Sequence, residues 1–419
     1  MPSHFRPTTM KHTLHPLLVG AVTAPALLLA SAALAASDAP PAPDTIGDAF
    51  AHGKVSLNVR ARYESVDQTA LQDADAYTIR TRLGFTTAPV DGFKAMVEGE
   101  TITAIDGDRY SQAGLNPGGA GRAVVADPTG SEINQAFLSY TSGQTNVIAG
   151  RQRLVLDHAR FVGDVGWRQN MQTFDAVTVT DKSVGKLSFT YSYLYQIDRV
   201  FGDRSVQGRW RSDSHLVNAS YTGLPFGTLT GYAYLLDFKN SAANSCATYG
   251  ASLTGTVPAG NAKLAYRAEY ATQTDYRNNP ASYSAEYWTG ELGVVTKPGT
   301  LAAGYELLGT DHNIGFKTPL ATLHAFNGWA DNFLATPAAG LRDTYGKAAT
   351  TLPGALGLLA FYHDFETDTG LDLGHEVDVQ LTRKFGKYFT GLVKYAKFNR
   401  DTTTVPALKK FWVQVEFAY

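Results

Sequence analysis

The clearest pattern in the chain is strict alternation near its end. Phe411, Val413, Val415, Phe417 and Tyr419 fall on one face, and Lys410, Trp412, Gln414 and Glu416 on the other. A period of two describes a strand with one apolar and one wet face. The pattern recurs in Val55, Leu57, Val59, Ala61 and Tyr63 against Ser56, Asn58, Arg60, Arg62 and Glu64. It recurs in Phe189, Tyr191, Tyr193 and Tyr195, in Tyr232, Tyr234, Leu236 and Phe238, and in Leu264, Tyr266, Ala268 and Tyr270. The apolar faces are rich in aromatics and the polar faces carry charges. Charges need water, so the polar faces predict an aqueous lumen and the apolar faces a lipid-facing exterior. The expectation is an all-β, antiparallel, up-and-down transmembrane barrel.

Strand number follows from parity. Tight turns read at 88–92, 142–144, 181–185, 223–227, 258–261, 297–299, 353–354 and 385–387, with longer polar connections between them, notably 105–131, 154–172, 197–213 and 311–341. Alternation alone marks about sixteen strands. Short periplasmic turns, long extracellular loops and two periplasmic ends require about eighteen. The two additional strands are expected near Tyr249–Val257 and Leu341–Leu352. A final strand ending on aromatic Tyr419 resembles the C-terminal signal by which outer-membrane proteins are recognised for insertion.

Composition narrows the class. The 419 residues carry a formal net charge of -2, which does not favour nucleic acid as a partner, and the single cysteine, Cys246, excludes an internal disulfide framework. Lys11 and His12 precede an apolar run, Leu17 to Leu34, followed by Ala33-Leu34-Ala35. That is the form of a cleaved export signal, expected over 1–36, with Met1 or Met10 as the start. A Pro-rich linker, 37–52, leads to one barrel domain, 53–419.

The first three strands concentrate charge on the polar face. Connection lengths predict Arg60 opposite Arg82 and Arg62 opposite Arg80, then Arg82 opposite Glu98 and Arg80 opposite Glu100, with Lys94 adding positive charge. Like charges opposed on a sheet are unfavourable unless water or an anion intervenes. Guanidinium groups suit carboxylate or phosphate, and basic rings select anions in pores. An ion-pair lattice bracing a wide lumen accounts for the same residues.

Two segments carry a family resemblance. Gly150 to Ala176, containing Arg151, Arg153, Arg160, Asp164, Trp167 and Arg168, and Thr318 to Leu334 are similar to signature stretches of the alginate-export family of outer-membrane channels. Arg60-Ala-Arg-Tyr63, Arg80-Thr-Arg-Leu-Gly84 and Phe361-Tyr-His-Asp-Phe365 resemble it too. The likeness covers nearly all of the mature chain. It implies an eighteen-stranded passive channel that passes a polyanionic uronate polysaccharide through an arginine-lined constriction. Arg60, Arg62, Arg80, Arg82, Arg151 and Arg153 match its basic positions. Implied partners are outer-membrane lipid, an anionic polysaccharide or small anionic solute, and periplasmic export machinery, with the protein acting as a monomer and using no cofactor.

The connection after Arg153 predicts either a loop folded into the lumen or a salt-bridged external cap, and the inward fold is the expectation. The 318–334 segment has mixed helical spacing, which predicts a helix on the rim or in the mouth, with His324 structural. Two readings of the lumen compete: export of an alginate-like polymer, or uptake of small anionic or sugar-like solutes. A barrel hydrolase is disfavoured, because no Gly-x-Ser-x-Gly motif is present. Asp157-His158 and His363-Asp364 are weak pairs, and no metal site is expected.

Overall fold

The computed structural model describes residues 44–419, so the expected signal peptide lies outside the described residues. Within the expected linker, Ile46–Ala51 form a short helix capped by Thr45. Phe50 of that helix stacks on Phe85, with ring centroids 5.9 Å apart.

Eighteen antiparallel strands form one sheet. The last strand, Leu408–Ala418, pairs with the first, Lys54–Gln68, and closes the barrel. Every tight turn read from the sequence joins two consecutive strands, and all of these turns share one end. The two strands required by parity are present as Cys246–Ala259 and Leu341–Leu352. The opposite end carries the long connections, including 106–129, 153–172 and 309–340.

The exterior is apolar by alternation. Leu83, Leu138, Leu292, Leu301 and Val415 are all half or more exposed. A continuous apolar surface of this extent is not left open to water by a soluble monomer. Aromatic pairs border the band. Phe93–Tyr140 (4.6 Å) and Phe389–Phe417 (5.2 Å) lie at the short-turn end, and Tyr63–Tyr77 (4.6 Å) and Tyr270–Trp288 (4.4 Å) lie toward the long loops. Such girdles mark the two interfaces of a bilayer.

Three sequence expectations need correction. First, the register differs by two residues. Arg60 faces Arg80 and Asn58 faces Arg82, while Arg82 faces Glu100 and Gly84 faces Glu98. The second turn tightens on Asp91–Gly92 rather than on the centre of 88–92. Val90 and Phe93 exchange backbone bonds of 2.9 and 2.8 Å, and Asp91 (φ 48) and Gly92 (φ 83) supply the two left-handed positions of a two-residue hairpin. In the first hairpin the last pair is Val66 with Ala74, while on its other edge the first strand stays paired with the last strand as far as Gln68 with Leu408. A shift of two preserves facing, so all four arginines still point inward.

Second, Tyr232, Tyr234, Leu236 and Phe238 point into the barrel and are buried. Tyr232 and Tyr234 meet Phe161 of an inward loop, with ring centroids 5.5 and 6.4 Å away. Third, 318–334 contains only a 3-10 turn, Leu323–Ala325. Left-handed Asn327 (φ 54), Gly328 (φ 83) and Asp331 (φ 63) prevent a longer helix.

Candidate functional site

The lumen is crossed by two of the long connections. Loop 153–172 turns inward through Asp157, His158 and Ala159, three successive residues at φ 42, 51 and 62. Left-handed non-glycine residues cost roughly 1–2 kcal/mol each, so the tip must be held. Tyr234 and Asn218, on the inner wall, donate to the Asp157 carboxylate at 2.5 and 2.6 Å. Three residues on, Arg160 spans to the thirteenth strand, Gly299–Leu308. There it forms a forked pair with Glu306 at 2.8 and 2.9 Å. The Arg160 guanidinium also stacks 4.6 Å from the Phe326 ring centre. Burial opposes its charge, but Glu306 outweighs that and holds the group above its ordinary range.

Loop 309–340 meets the first loop inside the barrel. Val162 and Leu320 form a parallel bridge. Gly163 donates to the Leu320 carbonyl (2.8 Å) and Thr322 to that of Ala159 (2.9 Å). The second loop is pinned to the wall at its own backbone: Ala330 N–H donates to Glu376 (2.6 Å) and Trp329 N–H to Asp378 (3.0 Å).

The predicted arginine ladder holds this assembly. Arg60 pairs with Glu416 (3.2 Å) and donates to the carbonyls of Gly166, Trp167 and Arg168 at 3.1–3.4 Å. Arg62 donates to the Trp167 carbonyl (2.7 Å) and lies 4.1 Å from that ring's centre. Arg82 pairs with Glu100 and donates to the Gln169 carbonyl (3.1 Å). Arg80, 1% exposed, reaches Asn58 and Glu416, while its Nε and Nη1 have no partner. Glu98 accepts from Asn134 (2.6 Å) and Gln135 (3.0 Å). Lys94 is exposed on the inner face near the short turns.

The remaining predicted arginines separate. Arg168 joins the first loop to Glu64 (3.0 Å) and Asp331 (3.2 Å). Arg153 pairs within its own loop with Asp164. Arg151 leaves the lumen altogether. It shares the outer face with Ala149, whose cross-strand partners Leu138 and Val177 are exposed apolar residues. There it pairs with Asp175 (2.7 Å) and Asp198 (2.9 Å).

Sequence reasoning missed the hub of the second loop. Asp331 accepts from His324 Nδ1 (2.6 Å) and Lys410 (2.7 Å) as well as from Arg168. Burial works against its charge, yet His324, Lys410 and Arg168 together hold the carboxyl well below the usual range. The ring of His324 stacks on Trp167, 4.4 Å away and nearly parallel. Its Nδ1–H faces the carboxylate and its Nε2 faces the Lys394 ammonium at 2.8 Å, the arrangement of a neutral imidazole. Burial, reinforced by Lys394, keeps that imidazole's pKa well below the ordinary histidine value despite Asp331. Lys394 also sits 3.6 Å from the Trp329 ring centre and 4.3 Å from that of Trp167, so one cation ties both loops to the wall. The available signal was three tryptophans, Trp167, Trp329 and Trp412, in a chain that holds five.

Beneath the loops a cavity of about 570 Å³ extends from Phe226, at the short-turn rim, to Phe326 and Trp329 on the underside of the second loop. Arg267, Tyr345 and Lys347 are among its lining residues.

Comparisons place this geometry among known proteins. Pseudomonas aeruginosa OccK9 (OpdG) is similar over 88% of this chain and 100% of its own, with TM-score 0.71 and 15% identity. Acinetobacter baumannii OccAB4 is similar over 91% of this chain and 100% of its own, with TM-score 0.67 and 14% identity. P. aeruginosa OpdK, solved with vanillate, matches over 88% of this chain and 99% of its own, with TM-score 0.70 and 13% identity. At these identities the likeness establishes the fold. A comparison with curated proteins finds no match. Residues 53–277, more than half of the chain, match the family model described as alginate export. With its closed barrel, lipid-facing belt and charged lumen, the chain is a bacterial outer-membrane channel protein and belongs to the alginate-export family.

Proposed function

We propose that this protein is a passive channel for anionic, hydroxyl-bearing solutes, uronate polymers of the alginate type among them, with short turns in the periplasm and long loops outside. The observation that carries the reading is the inward cluster of Arg60, Arg62, Arg80 and Arg82 beside the loop that narrows the lumen. The carboxylates facing these four arginines are Glu100 and Glu416, with Asp127 further off, 3.7 Å from Arg62. Basic linings lower the barrier for anions. A second reading, passage of small anionic solutes, is favoured by the packing of the two loops, which leaves a cavity suited to single sugar acids beneath them. The vanillate of the OpdK structure is a small aromatic carboxylate. Solute would move down its own gradient in either case, and family and fold point to a channel rather than an enzyme.

Reversal potentials in planar bilayers under a salt gradient test the reading. Wild type should prefer chloride over potassium. The double variant Arg60→Ala, Arg82→Ala should lose most of that preference even though it frees the loop and raises conductance. Selectivity unchanged in the double variant would refute an arginine-based filter. For orientation, an epitope inserted in 106–129 should be labelled on intact cells and one in 182–186 only after permeabilisation. The reverse pattern would invert the barrel.

A further inference from the structure

Charge is distributed unevenly around the inner wall. Among the described residues, the inner positions of the fifth to tenth strands, from Thr145–Gln152 to Cys246–Ala259, hold no Asp, Glu, Lys, Arg or His. Every other strand of the barrel carries at least one, including Glu132 on the fourth, Arg267 on the eleventh, Glu291 on the twelfth and Glu376 on the sixteenth. Chain composition does not explain this, since charged residues make up 18% of the sequence. The outer faces of these same strands do carry charges, Arg151, Asp175 and Arg209 among them.

Hydroxyls take the place of charge. Thr178 and Ser192 are hydrogen-bonded across neighbouring strands at 3.0 Å, Thr180 and Thr190 at 3.3 Å, and Ser220 and Thr230 at 2.8 Å. Either hydroxyl can donate in each pair, because both rotate. The rows lie between the loop tip at Asp157 and the short-turn rim, and Thr180, Thr190 and Ser220 remain partly open to the lumen. A solute hydroxyl can replace a partner in such a pair and return an equivalent bond. A charged wall, by contrast, would have to give up tightly held water.

We infer that this neutral wall is a specificity-determining surface that binds the hydroxyl face of a solute while its charged group is held by the opposite wall. The inference rests on the proposed anion channel and deepens it: the lumen selects anions that also carry several hydroxyls, the class of sugar acids, over bare carboxylates of similar size. Rows of exchangeable hydroxyls, repeated along the wall, let such a solute move in short steps.

The test is the triple variant Thr180→Val, Thr190→Val, Ser220→Ala, which removes the three lumen-open hydroxyls with little change in volume and keeps β-branched residues at the two threonine positions. Bi-ionic reversal potentials would compare glucuronate with cyclohexanecarboxylate, matched in charge and ring size. The permeability ratio should fall about three- to tenfold in the variant, the loss expected for one or two hydrogen bonds. Chloride conductance and the heat-dependent shift in gel mobility that reports a folded barrel should stay at wild-type levels. A folded, chloride-conducting variant with an unchanged ratio overturns the inference and leaves the channel reading standing. Absence of conductance in wild type would instead defeat the channel reading itself. Should the triple variant fail to fold, Thr180→Val alone carries the same comparison, with an expected fall of about threefold.

Discussion

Arg160→Ala should open the channel: single-channel conductance is expected to rise several-fold, with longer and noisier open states. Arg160 and Glu306 are both almost fully buried, with side chains 2% and 6% exposed. They form the main ion pair between the first loop and the thirteenth strand. Removing one partner of a buried pair costs about 3–5 kcal/mol, because the other charge is left unsatisfied. Glu306 would retain Tyr287 (2.7 Å) and Asn327 (2.7 Å) as donors but lose its counter-charge, and it can regain water only if the loop moves away. The loop tip, already held in three left-handed residues, offers little resistance. The double variant Arg160→Met, Glu306→Gln separates charge from contact. With no charge left unpaired, its conductance should return most of the way to wild type. Equal conductance in wild type and Arg160→Ala, measured on barrels that migrate as folded, would show that the loop does not limit the current.

These contacts also explain which parts of the molecule the sequence revealed. A barrel wall is local and periodic: each strand announces itself by alternation, each tight turn by Gly, Pro or Asp, and parity supplies what weak patterning hides. Cys246–Ala259 and Leu341–Leu352 were therefore predictable although Gly250, Gly255 and Gly346 blur their alternation. Register was harder. It depends on whether a turn tightens on Asp91–Gly92 or one residue earlier, and a single residue at the turn moves every pair by two. Alternation also could not tell lipid from protein as the partner of an apolar face. Tyr232 and Tyr234 look like belt residues until Phe161 arrives from a loop seventy residues earlier in the chain. The arginines were identified as inward, yet Arg60, Arg62 and Arg82 each also donate to backbone carbonyls at 166–169. Carbonyl partners leave no trace in side-chain spacing. If these arginines form the proposed filter, filter and scaffold are the same residues, and selectivity and loop position should change together when either is altered.

Acid should loosen the second loop in two stages, and His324→Gln should remove the first. Asp331, Lys394, Arg168 and Lys410 surround His324, with Glu376 and Asp378 holding the adjacent backbone. Docked, the imidazole is neutral and its pKa is depressed; undocked into water it would titrate near 6.5. The undocked state therefore binds more protons as pH falls through that value, and docking weakens on acidification. Each pH unit between the ordinary and the buried value removes about 1.4 kcal/mol. The Asp331 carboxyl, also depressed, contributes stabilisation that is complete above the ordinary carboxylate range and is lost only as pH falls below it. Conductance should accordingly be flat between about pH 8 and pH 7, rise through the histidine range, and rise again below about pH 4. In His324→Gln the amide can still donate to Asp331 and accept from Lys394, so the loop stays docked and only the lower rise should remain. Bilayer recordings at stepped pH distinguish the outcomes. An upper rise that persists undiminished in His324→Gln would assign the response to another group and remove His324 from control of the loop.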